Sequence, residues 1–153
     1  MSKRKSVKFH NSNLREKDYA VKEADLAPSI NLHFLHSSRH DLKHIDNLYR
    51  KDRSKRQDFL ELFETFINEF QTFPTIGKAI QAYASHNSGA KNIVPDIVDN
   101  VINSAQEDIR NYIRNEIQHL HFRKGGKGKE IIWGFVYSNS FYILAIEVGH
   151  NSV

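Results

Sequence analysis

Two adjacent runs near the C-terminus most restrict what this chain can fold into. In the first, Ile131, Trp133, Phe135 and Tyr137 alternate with Ile132, Gly134, Val136 and Ser138. A tight polar turn at Asn139-Ser140 follows, and then Phe141-Tyr142-Ile143-Leu144-Ala145-Ile146-Glu147-Val148. Strand-like runs on either side of a short polar turn specify a β-hairpin. The second run is apolar on both faces, so it is expected at the centre of a sheet.

Upstream the period changes. Phe59, Leu62, Phe63, Phe66, Ile67 and Phe70 fall on one helical stripe, and Pro74 stops that helix. Ser54 with Gln57 reads as its capping box. Thr75 then caps a short helix with Ile76, Ala79, Ile80 and Tyr83 inward, and residues 86–92 read as a polar loop. From Pro95 to Arg123, apolar residues from Ile97 and Val98 to Ile117 and Leu120 recur at three- and four-residue steps. That period predicts one long helix, begun by Pro95 and Asp96 and stopped by Gly125-Gly126, with a short strand at Leu120 to Arg123 as its continuation. Nearer the N-terminus, Ser29 to Leu35 alternates like a half-buried strand. Leu42, Ile45, Leu48 and Tyr49 return to helical spacing behind a cap at Ser37 or Ser38. The expected fold class is α+β: several amphipathic helices packed on a small antiparallel sheet that includes the C-terminal hairpin. Residues 1–28, with Lys3, Arg4, Lys5 and Lys8, read as a flexible basic arm, and residues 29–153 as a single domain.

The formal charge of +4, with nine histidines left out of it, favours polyanion partners. There is no cysteine, which removes disulfides, thiolate metal sites and thiol nucleophiles. The N-terminus has no apolar stretch of signal-peptide type, and no run is long enough to cross a bilayer, so a soluble cytoplasmic protein is expected, away from membranes.

Two basic stretches are candidate nucleic-acid contacts: Arg50, Lys51, Arg53, Lys55 and Arg56 before the phenylalanine helix, and Arg123, Lys124, Lys127 and Lys129 around the glycine loop. A solvated connection is the plainer reading of the first. His36, His40 and His44 lie four apart, but Asp41 falls off their face and no further ligand is near, so no metal or other cofactor is expected. Gly125-Gly126-Lys127-Gly128-Lys129 lacks the Lys-Ser/Thr ending of a phosphate loop and follows a helix instead of opening one. No Ser/His/Asp order can be picked out.

The most chemically loaded run is Arg114-Asn115-Glu116-Ile117-Gln118-His119, followed by His121 and Arg123. Cleaving RNA through its own 2′-hydroxyl needs a base, an acid and cations for the developing phosphorane charge. Histidine titrates near neutrality and suits both proton roles, and arginine matches phosphate oxygens. The alternative is a solvated helix face at Arg114 and Glu116, with His119 and His121 capping helix carbonyls.

Arg114-Asn115-x-x-x-His119 resembles the RNxxxH motif of HEPN-domain ribonucleases. The resemblance implies that Arg114 stabilises the phosphate, Asn115 orients, and His119 acts on the 2′-hydroxyl without a metal, with two copies meeting across a homodimer. HEPN domains are mostly helical bundles, whereas this chain closes on a hairpin. The order strand, helices, short strand, basic loop and hairpin resembles the RelE-type toxins, an mRNA-cleaving family. That likeness implies His121, Arg123, Lys124, Lys127, Lys129 and Tyr137 along one sheet face or its rim, with an acidic antitoxin as partner. Together the two imply a metal-independent endoribonuclease of the toxin or anti-phage kind acting on RNA. From a different class, a non-catalytic module binding nucleic acid or protein, such as a phage or mobile-element inhibitor of a host complex, also fits a small basic chain.

Overall fold

The computed structural model describes residues 27–84 and 96–148. Strands β1 (Ser29–Asn31), β2 (Ile117–Arg123), β3 (Lys127–Tyr137) and β4 (Ser140–Glu147) form one sheet in the order β1-β4-β3-β2. Helices α1 (Leu42–Leu48), α2 (Arg53–Phe70), α3 (Ile76–Tyr83), α4 (Asp96–Asn103) and α5 (Glu107–Asn115) pack around it. The architecture is α+β. The β2-β3-β4 portion is antiparallel, and β1 joins β4 in parallel, so the sheet as a whole is mixed.

The C-terminal hairpin forms as its pattern demands, and β4 lies between β1 and β3. Tyr137 pairs with Ser140, so the turn is Ser138-Asn139, one residue earlier than expected. Ser138 takes a positive φ of 60°. The Asn139 side-chain amide donates to the Ala27 carbonyl at 2.7 Å, and the Asn139 carbonyl accepts from Ser29 N at 3.0 Å. These two bonds tie the turn to the start of β1. Midway along the hairpin the register slips: Trp133 faces Ala145 and Gly134 faces Ile143, leaving Leu144 as the extra residue of a bulge. Gly134 sits against the Tyr142 carbonyl and the Phe141 ring, and no side chain fits there.

Each face of the sheet carries its own core. On one, Leu120, Phe122, Ile132, Phe141, Ile143 and Ile146 meet Phe59, Phe66 and Phe70 of α2 and Ala79 and Tyr83 of α3. Phe122 stands edge-on to Phe59, Phe63 and Phe66 at 5.7, 6.0 and 5.4 Å. Each such ring taken from water stabilises the fold by about 1.5–3 kcal/mol. Burial pushes the Tyr83 phenol up to about 12, helped by the Glu69 carboxylate that accepts its proton at 3.4 Å. On the opposite face, Phe135, Leu144 and Ala145 meet Val98, Val101 and Ile102 of α4 and Ile113 of α5. Tyr112 fastens α5 to β3 by donating to the Val136 carbonyl at 2.6 Å.

Several expectations change. The single helix from Pro95 to Arg123 is replaced by α4, α5 and β2 (Pro95 itself lies outside the described residues). The Ser104 hydroxyl bonds the Val101 carbonyl at 2.6 Å, while Ser104 N and Ala105 N close tight turns onto Val101 and Ile102. These bonds satisfy the end of α4, and α5 starts afresh. From Ile117 onward, pairing with β3 overrides the helical period, and the strand begins earlier than Leu120. The strand expected over Ser29 to Leu35 stops at Asn31, whose side-chain oxygen accepts from His33 N at 2.8 Å and turns the chain into a 3-10 helix, His33–Ser37. Asp41, not Ser37 or Ser38, caps α1, accepting from His44 N at 2.9 Å. Asp52, not Ser54, caps α2, accepting from Lys55 N at 3.1 Å. Thr75 caps α3 as read, accepting from Lys78 N at 3.2 Å. The basic arm, apart from residues 27 and 28, and the loop at 86–92 lie outside the described residues. Among the described residues, no helix is long and apolar enough to cross a membrane.

Candidate functional site

β2 is an edge strand whose side chains alternate. Leu120 and Phe122 enter the α2 core, which turns His119 and His121 to the other face. There His119 is registered opposite Trp133, and the two rings stack at 4.6 Å with planes 18° apart. His121 stacks on the near side of His119 at 5.1 Å and 28°. The result is a row of three rings, His121, His119 and Trp133, crossing from β2 to β3. α5 covers the Phe135–Tyr137 end of this face, so the row lies toward the β2–β3 turn.

Both ends of the row are held. The Trp133 indole donates to Glu147 Oε1 at 3.2 Å. His121 Nδ1 lies 2.8 Å from the Gly128 carbonyl. A carbonyl only accepts, so Nδ1 carries the proton and Nε2 is the basic atom of the neutral ring. Gly128 has φ +94°, and a Cβ there would come within 2.9 Å of Arg123 Nη1 and 3.1 Å of Glu130 Oε1. Glycine therefore lets the turn close onto both His121 and the Arg123–Glu130 ion pair, which is 2.6 Å long. His121 is buried, whereas His119 and Trp133 are half-buried.

The six-residue motif is divided. Arg114 and Asn115 end α5, while His119 stands on β2. The Arg114 guanidinium reaches α4, donating from Nη1 to Asp99 at 3.1 Å and from Nη2 to Asn103 at 2.9 Å. Its role visible in the fold is to clamp α5 to α4. Asn115 is exposed at the helix end.

The first basic stretch leads into α2, and the second lies at the β2–β3 turn. Burial raises the Tyr49 phenol, and the Glu130 and Asp52 carboxylates add to the effect. Phe122 at the end of β2 lies along α2 against Phe59, Phe63 and Phe66, and Lys124 in the turn reaches Glu69 near the C-terminal end of that helix. Within the two stretches Arg56 pairs with Asp46 at 2.8 Å, Arg123 with Glu130, and Lys124 with Glu69 at 3.5 Å. Arg50, Lys51, Arg53, Lys55, Lys127 and Lys129 are exposed.

Two contributors escaped the sequence reading. Trp133 and Glu147 entered only as residues of the two hairpin runs. Trp133 is the sole tryptophan, but only the strand register reveals that it faces His119. Elsewhere, His40 precedes α1, and its ring is 4.9 Å from that of His44. Burial, then the neighbouring His44, holds the His40 imidazole below its ordinary range. Among the described residues, no group of three or more histidines and carboxylates is placed to hold a metal ion. A surface concavity of about 520 Å³, lined by Ile76, Ile80, Ala84 and Val136, has Lys78 as its one charged group, and Val136 belongs to the core on the other face of the sheet.

No known protein family matches this chain, and no curated protein and no solved structure is significantly similar to it.

Proposed function

We propose that this protein is a metal-independent endoribonuclease of the toxin or anti-phage type, cutting RNA by attack of its own 2′-hydroxyl. The observation that carries the reading is the stacked His121–His119 pair beside a cation-bearing turn. His121 Nε2 takes the 2′-hydroxyl proton as the O2′–P bond forms. Protonated His119 gives its proton to the 5′-oxygen as the P–O5′ bond breaks. The products are a 2′,3′-cyclic phosphate and a 5′-hydroxyl, so atoms and protons balance. Imidazole is a side chain that can act as base and as acid in such a step. The phosphorane charge falls to Lys127, Lys129 and Arg123. The chain order β1, helices, β2, basic turn, β3, β4 supports the RelE-type likeness, whereas the HEPN-like roles of Arg114 and Asn115 rest on the motif alone.

One observation favours a second reading. Arg114 is engaged with Asp99 and Asn103, which suits a module that binds nucleic acid or a protein partner without cutting. Purified protein incubated with total RNA in EDTA separates the two readings. Cleavage by the wild type but not by His119→Ala or His121→Ala supports the ribonuclease. Intact RNA retained in a salt-sensitive way supports the binder. An acidic antitoxin partner and a homodimer belong to the first reading and are tested by co-expression and by sedimentation.

A further inference from the structure

His40 and His44 meet where the chain enters α1. Their ring centres are 4.9 Å apart and their planes 56° from parallel. Both backbones are fixed. His40 N donates to the Ser38 hydroxyl at 2.9 Å, and the His40 carbonyl accepts from Ile146 N of β4 at 2.9 Å. His44 N donates to the Asp41 carboxylate that caps the helix, also at 2.9 Å. One ring therefore stands on a segment pinned to the sheet, and the other on the first turn of α1.

His40 Nδ1 is shut off from water and has no hydrogen-bond partner among the described residues. A buried polar atom in that state costs stability, and a bound ion is one thing that removes the cost. Two imidazoles on one ion, with bonds of about 2.0–2.1 Å, have ring centres about 4.5–5.2 Å apart as the angle at the metal opens from a right angle to the tetrahedral one. The separation of His40 and His44 lies inside that range. Asp41 and Glu147 add negative charge around the His40 ring. Each already has a partner, Asp41 in His44 N and Glu147 in the Trp133 indole. They attract a cation without serving as its ligands, and the pair stays short of a group of three.

We propose that His40 and His44 form a two-histidine site for a divalent transition-metal ion, with water completing the coordination, and that the ion ties the segment bound to β4 onto α1. Imidazole nitrogen suits Cu²⁺, Ni²⁺ and Zn²⁺, whereas Mg²⁺ and Ca²⁺ take oxygen ligands. The site uses neither of the histidines assigned to RNA cleavage, so it stands or falls apart from that reading.

The test uses the full chain, stripped with EDTA and exchanged into chelator-free buffer. Calorimetry follows the binding of Cu²⁺, Zn²⁺ and Mg²⁺ to the wild type, to His40→Gln and to His44→Gln. The double variant His33→Gln with His36→Gln, whose histidines are exposed on the neighbouring 3-10 helix, is the control. Cu²⁺ is expected to bind more tightly than Zn²⁺, and Mg²⁺ not at all. Each single variant is expected to weaken Zn²⁺ binding about tenfold or more, since losing even the outer hydrogen-bond partner of a ligand costs that much. The control keeps the wild-type affinity. Zn²⁺ should also raise the urea midpoint of the wild type, because it binds the folded chain, and leave that of His44→Gln in place. Imidazole nitrogen NMR of the wild type needs no variant: one equivalent of Zn²⁺ should shift the His40 and His44 signals together. Shifts at His119 and His121 instead, or at His40 without His44, overturn the proposal. So does either single variant that is folded by far-UV dichroism and binds Zn²⁺ as tightly as the wild type.

Discussion

His119 and Trp133 face one another across β2 and β3 with ring centroids 4.6 Å apart and planes 18° from parallel. The contact joins a titratable ring to an indole that is itself bonded to Glu147, so the imidazole is oriented from outside its own strand. His119→Ala is expected to lower RNA cleavage in EDTA by about 10²–10⁴-fold, the usual worth of a positioned proton donor. Loss of the stack on Trp133 and His121 should lower stability by about 0.5–1.5 kcal/mol, so rates are compared on the folded fraction. The same change alters the emission of Trp133. A variant that cuts RNA at the wild-type rate removes His119 from the mechanism.

Trp133→Phe keeps a ring to stack on His119 but loses the bond to Glu147. Glu147→Gln keeps an acceptor oxygen there and loses the charge. If Trp133 positions His119, Trp133→Leu should depress the cleavage rate more than Trp133→Phe, with Glu147→Gln near wild type. Equal losses in all three would show that the row has no orienting role.

Arg114 separates the two resemblances experimentally. Its bonds to Asp99 and Asn103 are partly exposed, so Arg114→Ala should cost up to about 1 kcal/mol of stability. Cleavage should then fall only in proportion to the folded fraction. An unchanged urea midpoint with cleavage abolished would instead assign Arg114 to the phosphate, as the HEPN likeness implies.

Gly134 is the most sterically restricted position of the hairpin. A Cβ there would strike the Tyr142 carbonyl and come within 2.5 Å of Phe141 Cζ. One collision is with backbone, and the Phe141 ring is fully buried, so neither neighbour yields cheaply. Gly134→Ala is expected to destabilise by about 1–3 kcal/mol in chemical denaturation, and Gly134→Val by more. A neutral Gly134→Ala would contradict the bulge register described above.

His40 gives the fold a pH dependence of known sign. Burial and then His44 lower its pKa, and the attraction of Glu147 and Asp41 does not offset them. The folded state therefore holds fewer protons at this site than the unfolded chain. Its contribution is complete above the unfolded value of 6.5 and is lost as pH falls through that value toward the lower folded one. The urea midpoint should drop between pH 7.5 and pH 5.5, and His40→Gln should shrink that drop. An identical pH profile in the variant would rule His40 out as the source.

The local elements were written plainly in the sequence where a single period persisted. The phenylalanine stripe of α2, the Thr75 cap, the β3–β4 hairpin and the central place of β4 follow from neighbours in the chain, because side-chain spacing and apolarity alone decide which face is buried. Residues 96–123 show where that stops. Ile117 and Leu120 fit a helical stripe equally well, and only the availability of the β3 edge makes β2 the better state, since six residues of β2 pair with β3 and Leu120 and Phe122 are buried there. The strand switch placed His119 beside Trp133 and sent Arg114 to α4. Chain order supplied the histidines and the cations. Strand register and packing between distant segments chose their neighbours, because cross-strand partners are set by the ladder and not by proximity along the chain.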